Sequence, residues 1–357
     1  MKIGILTFHN ADNYGAVLQC YALQEVLKKK FPNDDVSVID YKNKIIDKSY
    51  KIIKIRRKLT YNVIQFFFIK TLIKKKYLFQ NFRQRFLNLD TTPYSNYDII
   101  FYGSDQIWNF ELTGLDLTYL GKGFSGIKIA YAASDGGELI DSKAEVKALL
   151  LKFDRIFCRE KTLAKKITAL TARHDIKTVC DPVFLFSKAD WLKIADMPNK
   201  KNYILAYKVS ENQHFDREVE KASQYLGKPV IQIVYQKSIR KFFYQKQNIV
   251  TGVAVEQFLG YVAYADLVIT TSFHATAFSL IFGRPFYVLK IKRGSERITD
   301  LLSAVGCANR YVESIPERGE EMNLIPVLLQ EYISTSEDVL DVDTRAVINS
   351  KKHFEAQ

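Results

Sequence analysis

Short apolar runs alternate with stretches of helical period along most of this chain, and that alternation restricts the fold more than any single residue. "KIGILTF" (2–8) reads as a buried strand; a polar turn follows, and "AVLQCYALQEVLKKKF" (16–31) carries apolar residues at helical spacing. "DVSVIDY" (35–41), "YDIIFYGS" (97–104), "KIAYAAS" (128–134) and "DRIFCRE" (154–160) are further strands, each punctuated at its C-terminal end. After "DPVFLF" (181–186) the pattern restarts with strand "YILAYKV" (203–209), a helix over 211–226 and strand "PVIQIVY" (229–235). A helix over 255–264, "LVIT" (267–270), a helix over 274–282, "FYVLK" (286–290) and a helix over 295–305 complete the second set. Strands alternating with helices predict parallel sheets in an α/β fold, and two such sets predict two Rossmann-like domains facing across a cleft.

The expected boundaries are an N-terminal domain over 1–190, a C-terminal domain over 191–335, and a last helix, 336–357, crossing back to the first. The linker is placed near 186–202, where "SKADWLKIADMPNKKN" loses strand character and includes Pro198. A length of 357 residues with 47% hydrophobic residues suits two cores rather than one. Cysteines 20, 158, 180 and 307 are scattered with no C-x-x-C pair, as expected of reduced cytoplasmic thiols without a metal. The opening "MKIGILTFHN" is too soon interrupted by polar residues for a signal peptide, and "VIQFFFIKTLI" is too short to span a bilayer.

The formal charge of +13 is concentrated. Residues 42–85 hold 14 Lys or Arg and one acid, Asp47, within a helical insertion expected over about 42–90. In "YKIIKIRRKL", "FFFIKTLIKKKYLF" and "FRQRF" apolar residues recur three or four apart, as on amphipathic helices. Three readings stay open: helices that pack one face and solvate the other, a peripheral contact with anionic lipid, or phosphate-backbone binding. No zinc-finger, RRM-like or helix-turn-helix signature accompanies the charge, so nucleic acid is not the expected partner.

Ligands of open α/β sheets bind beyond the carboxyl ends of the strands, and three turns there are unusually polar. In "HNADNYGAVLQ", Gly15 permits a close approach while Asp12, Asn13 and Tyr14 offer hydrogen bonds; an ordinary helix cap reads equally well. In "GSDQIWN" (103–109), Ser104, Asp105, Gln106 and Trp108 suit a sugar, whose C–H face stacks on indole, or else Trp108 is a buried residue under a polar cap. In "TTSFHATAFSLIFGRPF" (270–286), Ser272 and His274 lie where a helix N-terminus favours an anion. Lys290, Lys292 and Arg293 follow the neighbouring strand and Arg159 ends another, a group of cations suited to a small, highly charged anion. Each taken alone also reads as a core histidine or a solvated surface cation.

"GKGFSG" (121–126) precedes a strand instead of opening a helix and is read as a loop, not a dinucleotide fingerprint. No Walker A, H-E-x-x-H or G-x-S-x-G motif is present.

Taken together, "GILTFHNADNYGAVLQCYALQ", "YGSDQIWN", "IAYAAS", "FCRE", "CDPVFL" and "SFHATAFSLIFGRPF" resemble the polysaccharide pyruvyl transferase family, over a stretch reaching about residue 290. Two letters depart from the family pattern: Ala275 stands where S-F-H-G-T is more common, and Cys158 precedes Arg159. The resemblance implies a GT-B-like fold and transfer of pyruvate from phosphoenolpyruvate to a sugar of a bacterial surface polysaccharide. That acceptor would be a polyprenyl-diphosphate-linked intermediate, and the products a cyclic ketal and phosphate. It implies donor binding by His274 and Arg159, with Ser272 and Phe273 beside them and Lys290 or Lys292 nearby. His274 would be the general acid, Asp12 or Asp105 would relieve the sugar of protons, and Asn13, Tyr14, Gly15, Ser104, Gln106 and Trp108 would hold the acceptor. Phosphoenolpyruvate enters as co-substrate, with no cofactor or metal expected. The rival expectations are a nucleotide-sugar glycosyltransferase and a non-catalytic carbohydrate-binding protein.

Overall fold

The computed structural model describes residues 1–51, 59–136, 143–234, 248–316 and 327–355. Lys54, Arg56 and Arg57 of the basic stretch, and Tyr235 of the strand expected over 229–235, lie outside them. Two compact units emerge, the first from Met1–Ser49, Arg83–Phe186 and Val327–Gln357, the second from Tyr50–Phe82 and Ser187–Pro326.

The first unit is built on seven parallel strands: β1 (Lys2–Leu6), β2 (Asp35–Ile39), β3 (Leu89–Asp90), β4 (Ile99–Tyr102), β5 (Ile127–Ala133), β6 (Arg155–Cys158) and β7 (Lys177–Thr178). Their spatial order is β3-β2-β1-β4-β5-β6-β7. All residues of β4 and β5 are buried, because crossover helices cover a parallel sheet on both faces. The helix Tyr14–Lys30 is itself surrounded, so that even Gln19 and Gln24 are buried. Their amide N–H groups find partners within the unit: Gln19 donates to Thr7 Oγ1 and the Ala16 carbonyl, and Gln24 to the Phe86 carbonyl. β3 and β7 are two residues long, too short to show a period, which is why the sequence does not reveal them.

The last helix, Val327–Glu355, begins nine residues before the expected 336 and belongs to the first unit. Ser336 Oγ accepts from the Cys180 N–H at 2.9 Å, and Tyr332 meets the Phe184 ring edge-on.

The second unit carries β8 (Ile204–Lys208), β9 (Val230–Val234), β10 (Asn248–Val250), β11 (Leu267–Thr270), β12 (Phe286–Leu289) and β13 (Tyr311–Val312), all parallel, in the order β10-β9-β8-β11-β12-β13. Both sheets thus repeat the 3-2-1-4-5-6 order of a doubly wound fold.

Two expectations about the boundaries change. The stretch expected to be a linker contains a helix, Lys188–Ile194, started by Ser187, whose Oγ accepts from the Asp190 N–H. Trp191 anchors that helix, fully buried and edge-on to Phe278. The helical insertion, expected in the first domain, groups with the second unit over 50–82 and with the first only from Arg83 onward.

The end of that former linker packs on the helix Val255–Ala263. Asp196 N–H donates to the Glu256 carbonyl at 3.0 Å, and a Cβ at Gly260 would run into the Asp196 carbonyl. Glycine to alanine inside an isolated helix stabilises by about 1 kcal/mol. Gly260→Ala is expected to do the opposite, lowering stability in urea unfolding by about 1–3 kcal/mol through overpacking.

Candidate active site

In each sheet the chain winds one way from the first strand and then crosses to its other side, leaving a crevice outside the carboxyl ends of two adjacent strands. In the first unit these strands are β1 and β4. Thr7 Oγ1 donates to the Ser104 carbonyl across that point at 2.7 Å. The turn after β1 is an N-cap: Asn13 Oδ1 accepts from the N–H groups of Gly15 (2.9 Å) and Ala16 (3.4 Å). Tyr14 and Gly15 are buried in the first helical turn. Asp12 is ion-paired with Arg83 at 2.8 Å, with both side chains largely buried. Its expected role as a base therefore competes with a guanidinium already in place.

Two corrections fall on the turn after β4. Trp108 is 0% exposed, its indole N–H donates to the Tyr119 carbonyl at 2.9 Å, and its ring lies edge-on to Phe153. It is core and cannot stack on a sugar. Ser104 is equally buried, its hydroxyl donating to Asp181 Oδ2 at 3.1 Å, so it is not an acceptor contact. Asp105 sits at φ 78°, where its carboxylate folds back to accept from the Gln106 N–H at 2.9 Å. The half-buried Gln106 accepts in turn from the Asn109 amide.

Arg159 ends β6 inside an ionic cluster. It donates to Asp181 at 2.7 Å and to Glu160 at 3.1 Å, with Asp105 at 3.9 Å, while Ser134 Oγ donates to Glu160 at 2.7 Å. Arg159 is 5% exposed. Burial alone would disfavour its charge, but Glu160, Asp181 and Asp105 outweigh this and raise its pKa. In this arrangement Arg159 positions the strand ends, and its expected role in holding a donor anion competes with these carboxylates.

In the second unit the switch lies between β8 and β11. Thr270 Oγ1 donates to the Tyr207 carbonyl at 2.7 Å, and Thr271 Oγ1 accepts from the N–H groups of Val209 (2.9 Å) and Ser210 (3.0 Å). These bonds tie the two strand ends together. The helix Phe273–Phe282 starts there, with Ser272 Oγ accepting from the Ala275 N–H at 3.3 Å. His274 occupies its first turn, 8% exposed, edge-on to Phe273. Ala275 is fully buried, so the departure from glycine puts a methyl group into the interior and not into the path of a ligand.

Of the cations expected after β12, Lys290 pairs with Glu313 at 3.1 Å on the surface, and Lys292 and Arg293 are exposed. The cation the fold brings to the helix start is a different one: the Arg297 guanidinium lies over the Phe273 ring, 6.0 Å from its centroid.

Residues 13–293 match the family model of the polysaccharide pyruvyl transferases. The chain belongs to the polysaccharide pyruvyl transferase family. No curated protein matches it. Among solved structures it is similar to the UDP-GlcNAc 2-epimerase of Methanocaldococcus jannaschii in complex with UDP-GlcNAc and UDP. The TM-score is 0.52 and the identity 12%, over 95% of this chain and 98% of that one. A putative UDP-N-acetylglucosamine 2-epimerase from Listeria monocytogenes gives a TM-score of 0.51 at 12% identity, over 100% of this chain and 97% of that one. The likeness establishes the fold of this pyruvyl transferase family member: two parallel-sheet α/β domains of the GT-B class.

Sequence reading misses Asp181 and Arg297 as site residues, and it misses His9. His9 follows the first strand, buried, with Nε2 2.9 Å from Asp40 Oδ1. The Asp181 signal is present in "CDPVFL", where Asp181 caps a short 3-10 turn opened by Pro182. No group of His, Cys, Asp and Glu suited to a metal occurs among the described residues.

Two stability measurements follow from this geometry. Arg159→Met leaves Glu160 and Asp181 buried without their cation and is expected to cost about 3–5 kcal/mol in chemical unfolding. The hydrogen bond from His9 lowers the Asp40 pKa to about 2, against opposing burial and with help from Lys42. A depressed carboxyl contributes stability above its ordinary pKa and loses it as pH falls through the folded value. Between pH 4 and 2, Asp40→Asn should therefore lose less stability than the unaltered protein.

Proposed function

We propose that the protein transfers pyruvate from phosphoenolpyruvate to two hydroxyls of a sugar in a lipid-linked bacterial surface polysaccharide intermediate, releasing phosphate. The observation that carries this reading is His274, held by the Ser272 cap in the first turn of a helix that starts at the second unit's switch point. It lies within the part of the chain matched to the pyruvyl transferase family.

The N-terminal N–H groups of this helix and its dipole favour the donor phosphate. Arg297, over the face of Phe273, is the cation assigned to the carboxylate. His274, as imidazolium, protonates the methylene carbon and leaves oxocarbenium character at C2. One sugar hydroxyl adds to C2, the C–O bond to phosphate breaks, and the second hydroxyl closes the ketal. One hydroxyl proton restores the imidazolium and the other departs on the phosphate, so the donor trianion becomes a ketal carboxylate and hydrogen phosphate.

The turns after β1 and β4 are the acceptor contacts in this reading. Asp105 is the preferred base, since Asp12 is held by Arg83. Lys292, exposed after β12, assists the phosphate.

With phosphoenolpyruvate and a panel of lipid-linked sugars, a mass gain for the pyruvyl ketal and release of phosphate are expected. His274→Ala should lower kcat by about 10²–10⁴-fold, and Arg297→Ala should act chiefly on the KM for phosphoenolpyruvate. Full phosphate release by His274→Ala, or turnover of nucleotide sugars in place of phosphoenolpyruvate, would sink the assignment.

A further inference from the structure

The strongest charge on the chain lies outside the machinery described so far. The helix Leu59–Phe86 contains no Asp or Glu in 28 residues. A solvated surface helix ordinarily pairs its cations with acids three or four residues away, and none is available on this one. Its described side chains divide by face. Phe79 and Phe82 are fully buried, while Lys70, Ile73, Lys74 and Tyr77 are exposed and follow one another at helical spacing. Ile73 is 51% and Tyr77 65% exposed, large apolar side chains placed between lysines.

We propose that this stripe docks the protein on an anionic lipid surface, with Ile73 and Tyr77 at headgroup level and Lys70 and Lys74 against lipid phosphates. Charge complementarity identifies the occupant. Lysines with no acid on their own helix seek a polyanion, and the apolar side chains between them gain by entering the headgroup boundary. A nucleic-acid backbone offers Ile73 nothing comparable. Lysine stems lie along apolar surface while their ammonium groups reach the phosphates. The contact is peripheral: no helix among the described residues is long and apolar enough to cross a membrane.

The test is flotation of the full-length protein with phosphatidylcholine vesicles, with and without phosphatidylglycerol, across a salt series. Binding is expected only with the anionic lipid, weakening as salt rises. Lys70→Gln and Lys74→Gln should each lower partitioning about fivefold. Ile73→Ser with Tyr77→Ser should lower it even at low salt. All four positions are exposed, so the variants should keep the thermal transition of the parent, which separates lost docking from lost folding. Absence of binding to anionic vesicles overturns the proposal, as does binding that none of the four substitutions alters. Loss of retention on a heparin or DNA column with vesicle binding unchanged overturns it in favour of a soluble polyanion. None of these readouts depends on which reaction the protein catalyses.

Discussion

Parallel pairing of β1 with both β2 and β4, and of β8 with both β9 and β11, decides where polar chemistry can sit in these two units. A first strand flanked on both sides by later parallel strands requires the chain to wind in opposite directions from it. The loops leaving its carboxyl end, and that of its later neighbour, consequently diverge and leave a crevice. Helices cover the faces, so strand interiors must be apolar, and hydrogen-bonding side chains collect at the ends. Thr7 with the Ser104 carbonyl in one sheet, and Thr271 with Val209 and Ser210 in the other, are the same solution reached twice. In each, a threonine at the strand end satisfies backbone groups that divergence would leave without a ladder.

That constraint also explains what could be read in the sequence. Strands such as "LVIT" appear where expected because four consecutive buried residues can be recognised locally. The helix start at His274 is equally local, since Ser272 is a good N-cap and the small residues beyond it permit close packing. Ala275 is understood only once its burial is seen.

What could not be read depends on partners distant in the chain. The choice between a stacking and a core Trp108 was settled by the Tyr119 carbonyl and Phe153, neither of which is marked in "GSDQIWN". Arg159 looked like one of several gathering cations because its sequence does not reveal Asp181, 22 positions later, at 2.7 Å. Arg297 carries no local mark, because it belongs to the first turn of a helix beyond the lysines that follow β12. Asn13 turned out to do what the plainest reading of an asparagine before an apolar helix suggests: it caps.

The charge arrangement of the two units gives these placements their meaning. At the ends of β4, β6 and β7 in the first unit, Asp105, Glu160 and Asp181 surround a single Arg159. Negative charge exceeds positive there, in a setting where burial strengthens every interaction. The helix start in the second unit has the opposite character: an imidazole, capped backbone N–H groups and a guanidinium over Phe273. The two switch points thus differ in sign: carboxylates outnumber the one guanidinium in the first unit, while the second offers an imidazole and a guanidinium at a helix start. The buried cluster links three strand ends through one guanidinium. A network whose members are tied to one another is rigid, and these ion pairs and hydrogen bonds fix the turns after β4 and β6 in one arrangement.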